Sequence, residues 1–403
     1  MVRALDVAVP TRVCDACAGA ELVAFSDLGE VPVECGRHWA AESEAVASPV
    51  GRVVLGCCPE CGYVRNLAFD ESLVDPSAPT DMNLYHSPTF RAFSSELVAQ
   101  LVAELAERLP LAGRRVLEIG CAQGEFLREL CRVGGCTGVG YDPSYAGPAG
   151  PDPSGAELRR APAPPPGELP PFDLLVSRFV LEHVADPAGF LAGLREAAGE
   201  HALGHLQVPD AEYDLATAGW EVIYPHVSYL GAAALCRLAA RAGWSVDRTG
   251  PVFSGLIRRL DLAASPGSRA DAGVPEPELR AARDRLLAAV AGFDQRHHAE
   301  RRRWRETIGR LADEGARPVL WGTGSRGVQL LNYADPNRRL AATVDVNPAK
   351  WGRHLPVTGH RVDRPNRLRG SGTRAVIITN PVYRDEIAAS LAGLGVSAEI
   401  LVA

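Results

Sequence analysis

The sequence predicts an α/β protein in three parts: a small metal-stapled, β-rich module followed by two Rossmann-like units. Three observations carry this. Two Cys-x-x-Cys pairs stand near the N-terminus, Cys14 with Cys17 and Cys58 with Cys61. A strand, a glycine turn, a helix and a strand ending in an acid recur twice, first from Val116 to Asp142 and again from Arg317 to Asp345. The 403 residues, 46% hydrophobic, supply enough apolar side chains for more than one core.

Residues 1–68 read as short apolar runs broken by turns, the pattern of a small module stapled by a metal. Cys14, Cys17, Cys58 and Cys61 offer four thiolates, the donor set of a closed tetrahedral zinc site. A full protein coordination shell leaves no open position, so the expected Zn2+ is structural. Cys35 and Cys57 compete with Cys58, but only Cys58 completes the spacing. Cys121, Cys131, Cys136 and Cys236 sit among apolar neighbours and read as core thiols.

Residues 69–264 read as the second part. Residues 69–92, with Pro76, Pro79 and Pro88, form a linker that carries Tyr85-His86-Ser87. Phe93, Leu97, Leu101 and Leu105 recur every fourth position and predict an amphipathic helix over 93–109. Strands are expected at 115–119, 137–141, 172–177 and 203–208, with helices near 124–133, 187–199 and 231–243. The Pro- and Gly-rich stretch 143–171 reads as a loop.

The turn Glu118-Ile119-Gly120-Cys121-Ala122-Gln123-Gly124 lets a ligand lie close to the backbone at a helix N-terminus. Asp142, at the end of the next strand, is placed to accept hydrogen bonds from ribose hydroxyls. An acid ahead of the first glycine and a Gly-x-Ala-x-Gly spacing favour S-adenosylmethionine over a nicotinamide dinucleotide. The expected cofactor contacts are Glu118, Gly120, Ala122, Gly124 and Asp142, with Arg178 after the strand 172–177.

Residues 265–403 form the third part. A highly charged helix spans 276–314, and strands are expected at 317–323, 341–345 and 374–379. The second turn, Gly322-Thr323-Gly324-Ser325-Arg326-Gly327, reads either as another anion cradle or as a turn kept for its backbone. Arg326 is left to contact an anionic ligand or to pair with an acid.

The order of these motifs resembles the sugar C-methyltransferases, with a zinc-binding module, a class I methyltransferase core and a C-terminal Rossmann-like unit. The segments Val344–Arg353 and Asn380–Glu386 extend the resemblance to the end of the chain. It implies methylation of a carbon beside the ketone of a nucleotide-linked deoxysugar, as in antibiotic pathways, by way of an enolate. It also implies His226 as the base, Tyr224 as its neighbour, His183 on the substrate side and Tyr85 reaching in from the linker. A neutral imidazole accepts a proton, while phenol and imidazolium groups stabilise an oxyanion. The family carries an acid in the loop before the base, and this chain has Pro225 there.

Two alternatives keep the cofactor and change the chemistry: an O- or N-methyltransferase on another natural-product intermediate, and a non-catalytic cofactor-binding homologue. A net charge of −7 argues against nucleic acid as a partner. The absence of a long apolar run argues against a membrane span, so a cytoplasmic enzyme with a small-molecule substrate is expected.

Overall fold

The computed structural model describes residue 5 and residues 8–75, 82–148, 150–264 and 273–403. Pro76 and Pro79 of the expected linker lie outside these residues, as does 265–272 at the start of the third part. Three sheets organise the chain.

The first sheet is antiparallel and contains Val23–Pro32, Val50–Cys57 and Val64–Asn66. Its fourth strand, Ser228–Tyr229, comes from the central part of the chain and pairs with Val64–Asn66. The N-terminal module therefore does not finish its own sheet. The strand that completes it begins two residues after His226, which ties the histidine's loop to the module. Tyr63 and Ser228 reinforce the join through their hydroxyls at 2.6 Å, and Arg65 donates to the carbonyl of Ala185 at 3.0 Å.

The second sheet has eight strands. From one edge they run Ser245–Val252, Ile257–Ala263, Leu203–Pro209, Leu174–Arg178, Arg115–Ile119, Thr137–Tyr141, Ala156–Arg159 and Gly150–Pro151. The five in the middle, from Leu203–Pro209 to Ala156–Arg159, are parallel, and antiparallel strands close both edges. Chain order reverses between Arg115–Ile119 and Leu174–Arg178, so the carboxyl ends of these two strands face the crevice where such sheets bind ligands.

Within 143–171, expected as loop, two short strands extend this sheet. Asp152 organises them by accepting from the Ser154 N–H at 2.8 Å, and the Gly150–Pro151 strand folds back on Ala156–Arg159. The expected 93–109 helix is Pro88–Leu105, beginning five residues earlier. Ser87 caps it through Phe90 N–H at 3.2 Å, and Pro88 stands at its first position, where a missing N–H costs nothing.

The third sheet is parallel, in the order Val362–Asp363, Ala342–Val344, Val319–Trp321, Ala375–Ile378 and Glu399–Val402. The connecting helix Glu276–Asp313 has 38 residues. Leu286, Val290, Phe293, Trp304, Ile308 and Leu311 form its buried stripe, at three- and four-residue steps with one longer gap. Phe293 meets Phe25 of the first sheet edge-on, at 6.0 Å between ring centres.

Candidate active site

The glycine turn occupies the carboxyl end of Arg115–Ile119 and leads into the helix Glu125–Gly134. Gly120 and Gly124 have φ of +77° and +84°, and a Cβ on either would lie 2.2 Å from a side-chain carbon, of Val180 and Leu158 respectively. Neither position admits a larger residue. Ala122 holds φ of +49° between them, and its N–H donates to Asp142 Oδ2 at 2.8 Å. Asp142 Oδ1 accepts from the N–H of Ser144 at 2.8 Å and its hydroxyl at 2.6 Å. Each carboxylate oxygen can take further donors, so the acid is fixed in place without being used up.

Glu118 is buried beneath the turn with one carboxylate oxygen unpartnered, and burial pushes its carboxyl up to about 8. An orphaned acid beside a turn that opens a helix N-terminus fits a polar ligand lying across Gly120–Gly124. Arg178 is buried as well. It donates to Gln207 at 2.8 Å and to Tyr85 and Ser94 at 3.4 Å, and its guanidinium lies 4.3 Å from the centre of the Phe126 ring. Here Arg178 ties Tyr85 to the sheet.

Tyr85 stands on a single helical turn, Leu84–His86, capped by Asn83. The Asn83 amide also donates to Glu125 at 2.8 Å, which anchors this linker to the first turn of the helix behind the glycines.

His183 and His226 come together with ring centres 4.8 Å apart. His183 Nδ1 bonds the Pro225 carbonyl at 2.9 Å, so that nitrogen carries the proton and the ring is exposed at the site's rim. His226 is buried, and desolvation followed by the neighbouring His183 holds it well below the usual imidazole range. It is therefore neutral at working pH. Glu182 brings a carboxyl oxygen to the same place: the donor atoms of Glu182, His183 and His226 all lie within 4.8 Å of one another.

The structure separates Tyr224 from this pair by function. Its ring packs over Phe69 and against Gly51, where an added Cβ would stand 2.2 Å from the ring. Its hydroxyl accepts from the Asp70 N–H at 2.9 Å and donates to the Asp70 carbonyl at 3.2 Å. With both hydrogen-bonding roles committed to the linker backbone, Tyr224 acts as a strut for the loop.

The second glycine turn meets the first unit at the loop before His226. Ser325 donates to Glu221 at 2.9 Å, and Arg326 lies 3.3 Å from Asp214 and 3.8 Å from Glu221. The acid at the end of the following strand, Asp345, accepts from Thr323 N–H and hydroxyl at 2.8 Å and pairs with Lys350 at 2.9 Å. Of the two readings of Arg326, pairing with acids is the one the structure shows.

The four N-terminal thiols converge: Cys14 and Cys61 sulfurs are 3.5 Å apart and those of Cys17 and Cys58 3.6 Å. A tetrahedral site with Zn–S of about 2.3 Å has edges of about 3.8 Å, so the spacing fits zinc. Cys35 and Cys57 lie instead in the core beneath the first sheet.

Glu182 was not among the expected site residues. Its signal in the sequence was adjacency to His183, but only the fold shows that both its oxygens are buried without partners.

Residues 90–249 match the family described as methyltransferase domain, and residues 274–399 match the C-methyltransferase C-terminal domain. A ubiquinone biosynthesis O-methyltransferase from Thiobacillus denitrificans is 29% identical over 180 residues, 39% of this chain and 76% of that protein. One from Ruegeria is 27% identical over 189 residues, 42% of this chain and 76% of that protein. The structure of magnesium protoporphyrin IX methyltransferase from Synechocystis with bound SAH aligns over 43% of this chain and 85% of that one, at 17% identity and a TM-score of 0.34. Among the described residues no helix is long and apolar enough to cross a membrane. With a methyltransferase domain matched over the glycine turn, Asp142 and the histidine pair, this chain is an S-adenosylmethionine-dependent methyltransferase.

Proposed function

We propose that the enzyme methylates the carbon beside a ketone in a small-molecule acceptor, a nucleotide-linked deoxysugar of an antibiotic pathway, after His226 has formed the enolate. The observation that carries this reading is the pairing of a buried neutral imidazole with a second histidine at a methyltransferase turn. The match of residues 274–399 to a C-methyltransferase C-terminal domain supports it.

Glu118, Gly120, Ala122, Gly124 and Asp142 hold S-adenosylmethionine, and Arg178 fixes Tyr85 beside it. When bound, the cofactor supplies an electrophilic methyl group on sulfur. His226 removes the proton from the carbon next to the ketone, a step that requires it neutral. Tyr85 faces the substrate and stabilises the oxygen on which charge develops, and His183 stands on the substrate side of the base. Tyr224 keeps the loop of His226 against the linker. Cys14, Cys17, Cys58 and Cys61 hold a structural Zn2+, a chemistry supported by their sulfur spacing. The protein works in the cytoplasm without nucleic acid or membrane partners.

The test is incubation with S-adenosylmethionine and a panel of nucleotide-linked 4-ketosugars in deuterated water, read by mass spectrometry. A methyl gain with deuterium exchange at the adjacent carbon, both lost in His226→Gln, is the expected outcome.

The names of the curated relatives favour a second reading, O-methylation of another natural-product intermediate. Methyl gain without carbon exchange, and with His226→Gln still active, would establish it instead. Cofactor binding without turnover of any acceptor would mark a non-catalytic homologue.

A further inference from the structure

Replacing a C–H bond by a C–CH3 bond leaves one proton on the enzyme at every turnover. On the reading of His226 as the base, the C–H electron pair passes to the enolate and then into the new C–C bond, while the proton stays on the imidazole. His226 is only 4% exposed, so the proton has no direct path to water. Pro225, the residue before His226, offers neither a carboxylate to take the proton nor an N–H.

The cluster next to His226 has the parts of an exit. Glu182 is 2% exposed, and both of its carboxyl oxygens are buried with no hydrogen-bond partner. A buried carboxyl left without partners costs stability, so its retention here calls for a reason other than packing. One of its oxygens, one ring nitrogen of His183 and one of His226 lie within 4.8 Å of one another. His183 gives its Nδ1 proton to the Pro225 carbonyl at 2.9 Å, leaving Nε2 as an acceptor on a ring that reaches solvent.

We propose that Glu182 and His183 carry the substrate proton from His226 to water. The transfer balances without any other reagent. The imidazolium N–H of His226 gives its proton to one oxygen of the Glu182 carboxyl. The O–H on the other oxygen passes to Nε2 of His183, and His183 then releases a proton to water. His226 and His183 end in their starting states, and the Glu182 carboxyl, now protonated on its other oxygen, returns to its own by rotating before the next turnover. Burial, which pushes Glu182 up to about 8, keeps the carboxyl protonated and ready for this exchange. Glu182 and His183 thereby act through His226 and are relay residues for it.

The test needs no acceptor, so its failure is distinct from failure of the proposed methylation. Protein carrying 15N-histidine and 13C-glutamate, with S-adenosylmethionine added, is examined by NMR and infrared spectroscopy near neutral pH. The expected infrared result is a protonated carboxyl band that shifts in deuterated water and disappears in Glu182→Gln. The expected NMR result is exchange of the His226 ring proton with water, slowed about a hundredfold in Glu182→Gln and in His183→Gln and restored by Glu182→Asp. His183→Gln, at an exposed position, keeps the test open should Glu182→Gln fail to fold. Unchanged exchange in both variants would overturn the proposal, as would an ionised Glu182. A divalent ion bound beyond the cysteine site and lost with Glu182→Gln would also overturn it, by making the three side chains ligands.

Discussion

The two glycine turns share a backbone solution and put it to opposite uses. At Gly120–Gly124 the acid of the next strand, Asp142, is held by one N–H and one serine and keeps lone pairs free, and the acid beneath, Glu118, has an oxygen with no partner. At Gly322–Gly327 the corresponding acid, Asp345, is saturated by Thr323, Asn347 and Lys350. Its arginine is spent on Asp214 and Glu221. The first turn is built with unmet hydrogen-bonding capacity, which a ligand satisfies. The second is satisfied by the protein itself, and so works as a clamp on the loop that carries His226.

The comparison breaks most visibly at Arg326. Arg326→Met leaves buried Asp214 and partly buried Glu221 without their cation, which costs about 3 kcal/mol in urea unfolding. If Arg326 instead serves a ligand, stability will hold and only binding will suffer.

The two acids also predict opposite pH slopes. Burial raises Glu118 to about 8, so the folded state favours its protonated form, and stability falls as pH rises from the unfolded value near 4.5 through about 8. Glu118→Gln should remove that fall and raise the unfolding midpoint at about pH 8 by a few kcal/mol of stability, at the expense of cofactor affinity. For Asp345 the sign is reversed. Lys350 leads the interactions that hold it down at about 2, so its stabilisation is present above the unfolded value near 3.8 and lost as pH falls through about 2. Asp345→Asn should cost about 2 kcal/mol at neutral pH and leave S-adenosylmethionine affinity unchanged.

Asp142→Asn gives the converse. Calorimetric titration should show cofactor binding weakened about tenfold, or about 1.4 kcal/mol, with thermal stability nearly unchanged. The smallest effect is expected at Ser325→Ala, about 1 kcal/mol from the lost bond to Glu221. A matching drop in methylation would show that the clamp reaches His226.

The sequence displays what short-range rules enforce. A turn that needs positive φ shows its glycines, as at Gly120 and Gly124, and Cys-x-x-Cys spacing sets two sulfurs for one centre within a single bend. Period and composition likewise reveal the helix Glu276–Asp313 and most of the parallel strands. Helix starts shift by several residues because the Ser87 cap and Pro88 override the apolar repeat.

Everything decided by partners distant in sequence waited for the tertiary structure. Tyr224 and His226 are two residues apart, yet one braces Asp70 and the other faces His183. Arg326 finds its acids more than a hundred residues upstream, and Ser228–Tyr229 completes a sheet begun near residue 23. The residues themselves determined which groups were available: thiols for a metal, glycines for close approach, imidazoles for proton transfer. Whether each group's hydrogen-bonding capacity was met or left open was decided only when the chain folded, because burial and the choice of partner belong to the packed whole.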